Sequence, residues 1–121
     1  MCNHPQTTSS GVLLAVTGVR EHPVRAAEGS PMLLIQFKLS NLTGHNRQLT
    51  VIADASDARG SFIASASRTL TVIRHAEADS ELAVTAPPDG SILLIVRENG
   101  GTLHTSLLSA PLLPFQHDKE E

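Results

Sequence analysis

"MLLIQFKLSNL", residues 32–42, sets Leu33, Ile35, Phe37 and Leu39 at a spacing of two, with Gln36, Lys38 and Ser40 between them. Successive side chains of an extended chain point to opposite faces, so this alternation is that of a strand with one face buried and one wet. The flanking segments keep the rhythm. Upstream, "VLLAVTGV" (12–19) is rich in aliphatic and β-branched residues and short for a helix, which predicts a first strand, and "REHPVRAAEGSP" follows as a loop. Downstream, "TGHN" is a turn signal and "RQLTVIADA" alternates through Leu49, Val51 and Ala53. After the break at "SDARG", the stretch "SFIASASRTLTVIR" holds one long bent strand or two short ones. "HAEADS" reads as a loop, with a helical turn as the alternative, since it has two alanines and two acids. "ELAVTA" is a further strand, ended by "PPDG", where proline removes a ladder donor and Asp-Gly favours a tight turn. The last elements are a hairpin, "ILLIVRENGGTLHTSLL" (92–108), and "SAPLLPF", whose two prolines permit only an edge or an extended cover strand.

Short strands separated by turn signals, with no amphipathic helix among them, predict an all-β fold: an immunoglobulin-like β-sandwich of about seven antiparallel strands, with a small barrel as the alternative. The pattern "LLIQFKLSNLTG" followed by "LTV", a later hairpin and a proline-ended last strand resembles immunoglobulin-like and fibronectin-type sandwiches over residues 11–115, and is similar to the appendage (ear) domains of vesicle-coat adaptors. The Cys, Trp, Cys signature of antibody domains is absent, so the resemblance implies a fold and an adaptor-like role but carries over no functional residue. The expected organisation is a flexible segment over 1–10, the sandwich over 11–115 and an acidic tail over 116–121.

Composition narrows the function classes. Leu, Ile, Val and Phe supply 33 of the 121 residues, enough for a packed core, whereas the only aromatics are Phe37, Phe62 and Phe115, so that core is mostly aliphatic. The net charge is −3 and the basic residues are scattered, which excludes a dense phosphate-binding face and with it nucleic acid as the main ligand. The longest apolar runs, such as "PMLLI" and "ILLIV", are far too short to span a bilayer, so no membrane insertion is expected. Cys2 is the single cysteine, so no intrachain disulfide forms, and a reducing, cytoplasmic location is the simpler reading.

No glycine-rich phosphate loop, nucleophile elbow or paired-cysteine metal motif occurs, and no catalytic residue, cofactor or metal site is assigned. Cys2 lies in a terminal segment with nothing to activate its thiol. Asn41-Leu42-Thr43 fits a glycosylation pattern but reads more simply as a strand end entering a turn. Asp54 and Asp57 read as turn formers more readily than as calcium ligands. Of the six histidines, His22, His45 and His75 fall in loops, and their meeting at one end of a sandwich is the basis of an alternative function, a small metal or ligand carrier.

The hairpin raises the leading functional expectation. With Asn99-Gly100 as a two-residue turn, counting outward sets Val96 opposite Leu103, Ile95 opposite His104 and Ile92 opposite Leu107. Ile92, Leu94, Val96, Leu103 and Leu107 then line the core, and Leu93, Ile95, Arg97, His104 and Ser106 share the other face. That face is too polar for a core and too apolar for idle surface. Either "APLLPF" or the N-terminal segment covers it, or a protein partner or second copy does. Leu93, Ile95 and His104 are the expected contacts, with Arg97 for orientation and Met32 and Leu34, on the outer side of the second strand, as a second anchor. A histidine at such a border would make association pH-sensitive between about 5.5 and 7.5. The expected function is therefore a non-catalytic interaction module, acting as a homodimer or as a docking domain.

Overall fold

The computed structural model describes residues 11–22, 32–85 and 89–109. The expectations for 1–10, most of the first loop, "APLLPF" and the acidic tail lie outside them. Seven strands follow in order: β1 (Val12–Glu21), β2 (Met32–Asn41), β3 (Arg47–Ser56), β4 (Phe62–Val72), β5 (Glu77–Thr85), β6 (Ser91–Glu98) and β7 (Gly101–Leu108). All pairings are antiparallel and form two sheets, β1-β2-β5 and β4-β3-β6-β7. The fold is thus an all-β sandwich of seven strands. Compared with the constant-type immunoglobulin arrangement, in which the fourth strand belongs to the sheet of the first, second and fifth, β4 here has moved across to pair with β3.

Alternation built these elements. The inward sets of β2 and β3, Leu33 to Leu39 and Leu49 to Ala55, are buried, as are Ile92, Leu94 and Val96 of β6. "SFIASASRTLTVIR" is one strand, with an irregularity opposite Ala55 and Ser56 absorbing the extra residue near Phe62. "HAEADS" departs from the loop expected of it: β5 begins at Glu77, because Glu77, Asp79 and Glu81 alternate outward while Ala78 and Leu82 turn inward against the core, and pairing with β2 overrides helical propensity.

One side of the sandwich is closed and the other is open. β4 and β5 come together at one edge, where Arg68 Nε donates to the Glu81 carbonyl at 3.0 Å, linking the two sheets. At the other edge β1 and β7 scarcely touch. Both open-side strands carry a bulge, at Thr17 in β1 and at Leu103 in β7, a device that twists a free edge away from further pairing.

Two polar constructions close the end from which β2 and β4 exit. Asn41 is fully buried; its Nδ2 donates to the carbonyls of His45 (2.9 Å) and Val72 (3.0 Å), and its Oδ1 accepts from the Thr43 amide (3.0 Å). It is a strand end tied into a turn, as expected, and its amide is enclosed and hydrogen-bonded instead of being presented to solvent. Arg47, buried on β3, grips the Glu98 carboxylate with two nitrogens, Nε to Oε2 at 3.0 Å and Nη2 to Oε1. The hydrogen bond from Arg47 holds the Glu98 carboxyl below its ordinary range; burial opposes this, and the charges of Arg47 and His45 add to it.

Candidate interaction surface

The outer face of the four-stranded sheet is set by register. Asn99 and Gly100, both at positive φ, form the expected two-residue turn, with Glu98 opposite Gly101 and Arg97 opposite Thr102. Beyond that point the counted register is corrected by one residue. Leu103 bulges, Val96 pairs with His104, Ile95 with Thr105, Leu93 with Leu107 and Ile92 with Leu108. Every later residue of β7 therefore changes side. His104, expected outside with Ile95, lies on the core side opposite Val96 and is half-buried; Ser106 moves with it. Leu107, expected in the core, is 61% exposed on the outer face.

The neighbouring ladder supplies a residue that counting along the hairpin did not. Ile52 of β3 stands directly opposite Ile95. Ile52, Ile95, Leu93 and Leu107 thus form a contiguous aliphatic group across β3, β6 and β7, the first three half-buried and the last exposed. Its signal in the sequence was parity: Ile52 sits between the inward Val51 and Ala53, on the side that should be wet. Small hydroxyl and charged groups frame the cluster. Ser65 Oγ donates to Asp54 Oδ1 at 2.7 Å, and the hydroxyls of Thr50 and Thr69 lie 2.9 Å apart. Arg97, exposed and paired with Thr50, bends back to the turn, its Nη2 donating to the Gly100 carbonyl at 2.7 Å. The expected border of histidine and arginine is therefore arginine alone.

Met32 and Leu34 lie on the outer side of the three-stranded sheet, on the far side of the sandwich from Leu93 and Ile95. Leu34 is only 8% exposed, so it offers a partner little; Met32 is half-buried. The same sheet has an open depression of about 450 Å³ lined by Thr17, Gln36, Phe37, Asp79, Ser80 and Glu81.

The alternative based on histidines is corrected by the topology. His22 follows β1, and its amide bonds the Met32 carbonyl at the end where β2 begins. His45 and His75 sit at the other end, beyond Asn41. A ten-residue strand, about 30 Å, separates them. Among the described residues no three of His, Cys, Asp and Glu gather as a metal site. Asp57 Oδ1 accepts from the amides of Arg59 (2.9 Å) and Ser61 (3.0 Å), the local turn bonding expected of it, while Asp54 is engaged with Ser65.

The chain matches no protein-family model, and no curated protein is similar to it. Several solved structures share its fold. A β-glucuronidase from glycoside hydrolase family 2 superposes with a TM-score of 0.61 at 12% identity, over 74% of this chain and 10% of the enzyme. A glycosyl hydrolase family 2 member from Bacteroides cellulosilyticus gives 0.58 at 14%, over 87% and 15%. A FixG-related protein from Vibrio parahaemolyticus gives 0.52 at 15%, over 82% and 95% of the respective chains. This chain thus spans about a tenth to a seventh of the enzymes it is similar to. With topology and likeness together, the fold is an immunoglobulin-like β-sandwich.

Proposed function

We propose that this chain is a non-catalytic interaction module that contacts a protein partner through the outer face of its four-stranded sheet. The observation that carries the reading is the aliphatic group of Ile52, Leu93, Ile95 and Leu107, gathered from three strands on a face that an antiparallel sheet normally gives to solvent. Covering it is worth on the order of 4 kcal/mol at 25 cal/mol per Å². The glycosidases support an accessory role, because the part of them that this fold resembles is a small fraction of a larger chain. The likeness of the strand pattern to adaptor appendage domains implies the same kind of work. One cysteine and no disulfide suit a cytoplasmic setting.

Affinity capture from extracts of the producing cells tests this, with wild type, Ile95→Asp and Ala15→Asp as baits. Ala15 is exposed on β1 opposite Lys38, on the outer side of the other sheet, and serves as the control. The proteins retained by wild type and Ala15→Asp should be lost from a folded Ile95→Asp bait. Identical retained sets from all three refute it.

A further inference from the structure

We infer that this chain also pairs with a second copy of itself, antiparallel through the β7 edges about a two-fold axis at Ser106, so that two four-stranded sheets become one of eight. This contact lies at the edge of the sheet and is separate from the face contact proposed above. Among the described residues four strands are edges: β1, β5, β4 and β7. β4 and β5 lie against each other, which leaves β1 and β7. β1 carries Arg20 and Glu21, whereas β7, "GTLHTSLL", has no lysine, arginine, carboxylate or proline, the groups that blunt a free edge. The Leu103 bulge confines the regular part to residues 104–108, where alternate N–H and C=O groups point away from β6.

Self-pairing suits this edge in charge as well as in shape. A two-fold at Ser106 sets Thr105 opposite Leu107 of the second copy and His104 opposite Leu108, with no carboxylate, lysine or arginine opposed. The exposed Leu107 comes diagonally beside its counterpart, and the two aliphatic groups run together across the seam. The same operation on β5 would crowd Glu77, Asp79 and Glu81 against their own copies. A five-residue edge buries less than the roughly 1,200 Å² of a standard interface, so the dimer is weak and concentration-dependent.

Light scattering on the full chain, from about 10 µM to about 1 mM, spans the affinities such a contact gives. The mass should rise from 12.8 kDa toward twice that value. Thr105→Lys or Leu107→Glu alone should hold it at the monomer. The double variant Thr105→Lys, Leu107→Glu should dimerise again, because the two-fold sets each introduced lysine opposite an introduced carboxylate. Ile95→Asp, on the face but off the edge, should dimerise like wild type. A wild type that stays monomeric overturns the inference, as does a folded double variant that stays monomeric. So does association abolished by Ile95→Asp but not by Leu107→Glu, which would mean face-to-face contact and leave the broader reading standing. The capture experiment decides that broader reading independently.

Discussion

At the scale of single residues, Asn41 holds more of the structure than its size suggests. Its amide joins the end of β2 to the carbonyls of His45 and Val72, and the second of these is 31 residues away. Asn41→Ala removes the donor to the buried Val72 carbonyl and the acceptor of the Thr43 amide, and should lower the urea-unfolding free energy by about 3 kcal/mol. Asn41→Asp should cost as much at neutral pH, since a carboxylate would face carbonyl oxygens, and should recover partly in acid. Arg47 and Glu98 give a second prediction, with its sign set by the depressed Glu98 carboxyl. A folded-state pKa below the unfolded value contributes stability above the unfolded value, near 4.5, and loses it as pH falls through the folded one. Glu98→Gln should therefore be less stable than wild type at pH 7 by about 2 kcal/mol. The two stability profiles should converge in strong acid; parallel profiles down to about pH 2 would show that the pair contributes no such limb.

At the scale of elements, β6 and the turn were legible and β7 was only half so. The Asn99-Gly100 turn was readable because a tight hairpin demands positive φ at both places, which asparagine and glycine tolerate. The bulge was not, because Leu103 packs against the core from the bulged position and nothing in "GTLHTSLL" distinguishes that from ordinary alternation. One uncounted residue then exchanged His104 for Thr105 and brought Leu107 outside. The same geometry makes deletion of Leu103 informative. Removing the extra residue leaves the pairs from Val96–His104 to Ile92–Leu108 in register with an uninterrupted ladder. The variant should keep its Ile95–Thr105 cross-strand proton contact by NMR while losing about 1–2 kcal/mol of leucine packing. It should also self-associate more strongly, because a flat edge pairs more readily than a bulged one. A cross-strand contact from Ile95 to Ser106 instead would show that the strand keeps an extra residue at this point, with His104 bulged in place of Leu103.

At the scale of the whole molecule, what the chain conceals is adjacency. Each apolar residue on a wet face announces itself by parity, as Ile52, Leu93 and Ile95 do. That they touch depends on the order β4-β3-β6-β7, which brings β3 beside β6 across 34 intervening residues in a way no local pattern encodes. The same order put His22 a strand's length from His45, and Met32 on the opposite outside of the sandwich from Leu93. It also predicts how the molecule opens. Amides of β2, β3 and β6, each flanked on both sides, should exchange with deuterium slowest, near the rate of global unfolding, whereas the open-side edges β1 and β7 should exchange by local fraying. These two edges flank the same open side but differ in charge. Raising the protein concentration should therefore slow exchange along residues 104–108 while leaving β1 unchanged, because only the uncharged edge accepts its own copy. Equal slowing on both edges would indicate non-specific crowding of the open side, and slowing on β1 alone would move the contact to the other sheet.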